Sequence, residues 1–250
     1  MSPAATSTTS APKREVIVVA NAAAVAIEAA KIIVARIGES ARPSVCLTGG
    51  SSPLRLYEVL GASPYKAKIA WDRVHWFIGD ERFVPADDPL NNMGAARKIF
   101  LDRCAPVNRI HPIPTDAPSP NAAALAYERE LQIFYGAERL DPARPLFDIV
   151  LLGVGPDGHV ASLFPGAPVD YNGRRVIGVA QANVAPFVPR VTLTYSTLAS
   201  CRQMVFLVSG AGKRTIFARI QRGDDLPATR AHSNMLTTWL VDRAAAGDAA

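Results

Sequence analysis

The chain predicts a single-domain, Rossmann-like α/β fold, a mostly parallel twisted sheet with helices on both faces. Three observations carry that expectation. Short β-branched runs alternate with helix-spaced segments along the whole length. The most apolar run, Phe147 to Val154, is continuous rather than alternating, as a strand buried on both faces requires. The Gly-rich segments follow predicted strands, which is where an open parallel sheet binds its ligands.

Glu15 to Ala20 is a β-branched run and reads as the first strand. Ala22 to Ile37 is Ala-rich with apolar residues at helical spacing, and Gly38 stops it. Ser44 to Thr48 reads as a strand, and Pro53 to Leu60 as a helix that opens on proline. Val74 to Ile78 is a strand, Asn92 to Asp102 a helix and Asn121 to Tyr135 a longer helix. After the strand Phe147 to Val154 come two shorter ones, Val176 to Ala180 and Val191 to Thr194. Met204 to Val208 is a strand with a helix, Lys213 to Gln221, behind it, and Thr237 to Val241 reads as the last strand. No internal repeat or linker divides the chain, so residues 15–246 are expected to form one domain between tails at 1–14 and 247–250.

With 250 residues, 49% hydrophobic and 20% charged, the chain can bury a substantial core. No apolar run reaches the roughly 20 residues that span a bilayer. Met1 to Pro12 has no apolar centre and reads as neither signal peptide nor anchor, so no membrane partner is expected. Cys46, Cys104 and Cys201 are odd in number and widely spaced, which fits neither a disulfide framework nor a zinc site and points to a reducing cytoplasm. The net charge is +5, but the 27 Lys and Arg are scattered without a dense block. That distribution argues against nucleic acid, and a small anionic ligand accounts for the excess equally well.

The segment Phe147 to Gly166 is the most informative in the chain, because an apolar strand ends at glycines and at once presents Asp157 and His159. Gly153, Gly155 and Gly158 have the G-x-G-x-x-G spacing of a dinucleotide site, yet Pro165 and Gly166 cut short the helix that such a site needs. No nicotinamide or flavin cofactor is expected. Of the four histidines, His75 lies inside a strand, His111 in a Pro-rich stretch and His232 in a polar connection. His159 alone stands in a Gly-flanked loop after a buried strand, with Asp157 two residues away, and is the candidate for acid–base work. No two histidines share metal-ligand spacing, so no metal is expected either.

The turn Gly49-Gly50-Ser51-Ser52-Pro53 joins a strand to a helix, and its N–H groups and hydroxyls can converge on an anion. Arg190 and Lys213 each adjoin a predicted strand and can supply the cations that a phosphate dianion needs, although each alone also reads as a surface charge. Gly210 to Thr215 is not a Walker A loop, since Leu207 and Arg214 break its pattern. Gly-x-Ser-x-Gly is absent, so no serine nucleophile is implied.

Phe147 to Gly166 resembles the G-x-G-x-D-G-H-x-A-S-L-F-P signature of the 6-phosphogluconolactonase family. Leu47 to Pro53, Gly79-Asp80-Glu81-Arg82-Phe83-Val84-Pro85 followed by Asn92, Arg190 to Thr194 and Gly210 to Lys213 are similar to that family's other motifs, in the family's order. The resemblance runs from about Val16 to Ala246. It implies hydrolysis of the δ-lactone of 6-phosphogluconate in the oxidative pentose phosphate pathway, without cofactor or metal. It further implies His159 as general base, Asp157 as its orienting partner and Arg82 facing the lactone. Gly49, Gly50, Ser51, Ser52, Asp80, Asn92, Arg190 and Lys213 are then the substrate-binding residues. For Arg82 the competing reading is an ion pair with a neighbouring acid. The expected partner is a small phosphosugar lactone, and the chain a monomer or small homo-oligomer. One departure stands out: Asn91 replaces the serine usual before Asn92. The related glucosamine-6-phosphate deaminases typically carry Ile-Ala-Phe-Asn-Glu-Pro after the histidine, where this chain has Val160 to Pro165 without a glutamate. A non-catalytic sugar-phosphate sensor is the other alternative, and it has no need of His159.

Overall fold

Every residue of Phe147–Leu152 is buried. A strand with no solvent face must be covered on both sides, which places it in the middle of a layered α/β sheet. The computed structural model describes residues 12–247. Its strands are β1 (Lys13–Val19), β2 (Ser44–Leu47), β3 (His75–Ile78), β4 (Asp80–Arg82), β5 (Phe147–Leu152), β6 (Val176–Val179), β7 (Arg190–Leu193), β8 (Cys201–Val208) and β9 (Leu236–Asp242). Six of them pair in the order β1-β9-β8-β5-β2-β3, every pair parallel. The helix Ala22–Gly38, capped by the Asn21 side chain, buries Ala26, Ala29, Ala30 and Ile33 and packs against β5, β8 and β9. Full burial of each large aliphatic or aromatic side chain in β5 contributes about 1.5 to 3 kcal/mol.

The mostly parallel sheet is as expected, but it is not the whole of the β-structure. β4, β7 and β6 form a separate three-stranded antiparallel sheet. β4 is three charged residues, Asp80, Glu81 and Arg82, and carries no apolar alternation by which a strand is read from sequence. Asp80, Arg82 and Arg190 therefore lie in strands of this second sheet. The first strand also begins earlier than expected, since Lys13 and Arg14 already pair with Leu236 and Thr237. The remainder of the expected tails, residues 1–11 and 248–250, lies outside the described residues. The expected helix Asn92 to Asp102 is interrupted by a π-helical turn at Arg97–Leu101. Among the described residues no helix is long and apolar enough to cross a membrane.

His75 opens β3 at the amino end of the sheet, and its surroundings fix its proton. Arg109 donates Nη1–H to Nε2 at 3.0 Å, so the ring proton is on Nδ1, which donates to His111 Nε2 at 2.9 Å. His111 in turn donates Nδ1–H to Glu130 at 2.6 Å. Burial first, then the neighbouring His111, Arg109 and Arg42, lowers the His75 pKa to about 4. A folded-state value below the unfolded one stabilises above pH 6.5, and that contribution is lost as pH falls from 6.5 towards 4. It amounts to at most about 3 kcal/mol. Denaturant melts across this window are expected to show wild type losing stability more steeply than His75→Gln. Parallel curves for the two proteins would refute the neutral, buried imidazole.

Candidate active site

β2 leads through the helix Leu54–Leu60 to β3 on one side of it, whereas β5, its other neighbour, leads on towards β8 in the opposite direction. The loops leaving β2 and β5 therefore diverge, and the crevice between them is the switch point at which open α/β sheets bind ligands. A cavity of about 350 Å³ opens there. Gly49, Gly50, Ser51, Ser52, Asp80, Arg82, Asn92, His159, Arg190 and Lys213 all line it, while Asp157 stands behind His159 outside the lining.

The loop after β5 is folded around the imidazole. Gly155 N–H donates to the His159 carbonyl at 2.9 Å and Gly158 N–H to the Gly155 carbonyl at 3.1 Å, with Gly158 in the left-handed region at φ +88°. A Cβ on Gly155 would lie 2.0 Å from His159 Nδ1, so the ring rests directly on that α-carbon. The second glycine of the G-x-G pattern thus makes room for a histidine rather than a pyrophosphate. Asp157 Oδ1 accepts from His159 Nδ1–H at 2.5 Å and from the His159 backbone N–H at 3.1 Å. With the proton committed to Nδ1, Nε2 carries the lone pair and can take a proton from a reactant. Beyond the histidine, Ala161 adopts φ +48°, a costly conformation for a residue with a Cβ. Ser162 pins the loop to the second sheet by donating Oγ–H to Asp80 Oδ2 at 2.7 Å and N–H to Thr192 Oγ1 at 3.2 Å.

The second sheet supplies the positive wall. In the β4–β7 ladder Arg82 stands directly opposite Arg190, an arrangement that costs energy unless negative charge lies between or beside them. Arg190 is buried, so it is no surface charge, and its Nε–H has no partner among the described residues. Its Nη2 donates to the Pro186 carbonyl at 2.9 Å. Burial draws its pKa down, Asp80 opposes that and Arg82 adds to it. Arg82 donates Nη1–H to the Leu90 carbonyl and to Asn92 Oδ1, each at 2.8 Å, and makes no ion pair among the described residues. The ion-pair reading of Arg82 is thereby corrected. Lys213 donates Nζ–H to the Val154 carbonyl at 2.6 Å at the end of β5; burial lowers its pKa and Asp157 opposes the drop.

The Gly49 turn is shaped by the same wall. A Cβ on Gly49 would lie 2.1 Å from Asn92 Oδ1, so only glycine lets this turn approach Asn92. Asn91 is the N-cap of the helix Asn92–Ala96, accepting from Gly94 N–H at 2.7 Å, and does not line the cavity. Asn and Ser are comparably good N-caps, which accounts for the substitution at this position. Sequence reading passed over Glu81, whose buried carboxylate accepts backbone N–H groups from Arg82, Asn92 and Met93. Burial pushes its pKa up to about 7 despite those donors. A charged residue between two charged site residues gave no signal of facing inward. Among the described residues no group of three His, Cys, Asp or Glu is placed to hold a metal ion.

Residues 18–239 match the family described as glucosamine-6-phosphate isomerases/6-phosphogluconolactonase. The chain belongs to this family. Within the family, a protein from Synechocystis sp. named 6-phosphogluconolactonase is 38% identical over 214 residues, 84% of this chain and 85% of its own length. The solved structure of 6-phosphogluconolactonase from Trypanosoma cruzi superposes with a TM-score of 0.80 at 29% identity, covering 96% of this chain and 98% of that one. A monomeric glucosamine-6-phosphate deaminase superposes nearly as well, at TM-score 0.78 over 94% of this chain and 98% of that one, but at 22% identity it speaks for the fold alone. Within this family the fold does not choose the reaction, and the residues around the cavity must.

Proposed function

We infer that this chain hydrolyses 6-phospho-D-glucono-1,5-lactone to 6-phosphogluconate in the oxidative pentose phosphate pathway, with His159 as general base. The observation that carries this reading is a single imidazole, its Nδ1–H held by Asp157 at 2.5 Å, in a cavity whose wall presents Arg82, Arg190 and Lys213. As a water oxygen bonds to the lactone carbonyl carbon, its proton passes to His159 Nε2, and the carbonyl oxygen takes up the negative charge. Asp157 stabilises the imidazolium that forms, and Arg82 is the cation assigned to the developing oxyanion. Collapse breaks the bond to the ring oxygen, which recovers the proton from His159, and the carboxylic acid product ionises. The substrate phosphate is assigned to Arg190, Lys213 and the Gly49 to Ser52 turn, where it meets the Arg190 Nε–H that has no partner among the described residues. Asp80 and Asn92 hold this wall together as well as lining it. We place the protein in the cytoplasm, in keeping with three cysteines that all stand free.

The direct test is hydrolysis of 6-phosphogluconolactone by purified protein in the presence of EDTA, followed against the spontaneous rate. Accelerated hydrolysis is expected. Turnover of glucosamine 6-phosphate exceeding that of the lactone would overturn the choice of reaction. Activity abolished by EDTA and restored by a divalent ion would overturn its metal independence.

A further inference from the structure

The hydrolysis uses Arg82 and Asp80 but leaves unexplained the residue between them. Glu81 is wholly inaccessible to solvent. Strand alternation sends its side chain to the face of β4 opposite Asp80 and Arg82, and it does not line the cavity. A carboxylate taken out of water is costly unless its oxygens are met by donors. Here the donors are all backbone: Oε1 accepts from Arg82 N–H at 2.8 Å and Asn92 N–H at 2.6 Å, and Oε2 from Met93 N–H at 2.9 Å. Those three groups bracket the loop that aims the Arg82 guanidinium, because Nη1 donates to Leu90 and Asn92 within it. The Asn92 side chain closes the circuit by donating to the Asp80 carbonyl at 3.0 Å.

We propose that Glu81 is a positioning residue for lactone hydrolysis, acting through Arg82 by tying its backbone to Asn92 and Met93 and so fixing the guanidinium at the cavity wall. The role rests on the lactonase reading given above. Glu81→Gln keeps the shape but turns an amide NH2 towards at least one backbone N–H, donor against donor. A small displacement of a group that contacts the reacting atoms is enough to cost on the order of 10- to 100-fold in rate.

The test is a cycle of wild type, Glu81→Gln, Arg82→Ala and the double variant, with kcat and KM measured separately on 6-phosphogluconolactone and the folded fraction of each protein taken from thermal melts. Glu81→Gln alone is expected to lower kcat/KM by about 10- to 100-fold, and to add nothing once Arg82 is alanine. An equal proportional loss in both backgrounds, or a loss that tracks the folded fraction, would overturn the proposal. If Glu81→Gln does not fold, Glu81→Asp retains the charge with a shorter reach and goes through the same cycle. If neither folds, Glu81 maintains the fold rather than the arginine and the proposal fails. Absence of lactonase activity in wild type is a separate result, which removes the functional reading and this role with it.

Discussion

His159→Gln is expected to lower kcat by about 10² to 10⁴ while leaving ligand binding largely intact, the range for losing a general base. The size follows from the site's geometry. Asp157 and the Gly155 α-carbon hold the ring in one orientation and one tautomer, and the amide of Gln cannot take the proton from water. Gly155→Ala is expected to reproduce much of the loss with the histidine still present, because a Cβ would lie 2.0 Å from Nδ1 and push the ring out of place. His75→Gln, at the other end of the sheet, should change acid stability and leave turnover nearly unaltered. Steady-state kinetics on the three variants, with melts to show that each is folded, make the comparison. Equal losses of kcat in His159→Gln and His75→Gln would remove His159 as the base.

The parts of the site that were legible before the fold was known are those carried by local pattern. The histidine loop announces itself because an apolar strand stops at glycines, and Gly155 and Gly158 are needed there for a close approach and a positive φ. The Gly49 turn is readable for a similar reason. What the sequence hides is pairing between distant segments. Arg82 and Arg190 are far apart in the sequence, and only the antiparallel register of β4 and β7 makes them neighbours. Ser162 reads as part of a motif, yet its function in the fold, a hydroxyl given to Asp80, requires the second sheet to exist. That sheet is built from strands of three and four residues, too short and too polar at β4 to show a period. Glu81 is the extreme case, a fully buried acid in a charged triplet whose partners are backbone groups that no side-chain pattern reveals.

Holding the substrate and transforming it are expected to separate at Arg190 and Lys213. A phosphate remote from the reacting carbon contributes its charge-assisted hydrogen bonds to ground state and transition state alike, so losing one of its partners should raise KM more than it lowers kcat. At roughly 1.5 to 3 kcal/mol for a hydrogen bond to a charged group, Arg190→Ala or Lys213→Ala should weaken binding by about 10- to 150-fold. The two need not fail alike: Arg190 is the more deeply buried and stands opposite Arg82, so its removal also relieves a like-charge pair, whereas Lys213 gives up its bond to Val154. Unphosphorylated gluconolactone supplies the control, because it brings no charge for these side chains to meet and its hydrolysis should barely change. Measuring kcat/KM for both lactones in wild type and in each variant decides the matter. An equal proportional loss on the two substrates would mean that Arg190 and Lys213 support the wall or the chemistry and do not read the phosphate.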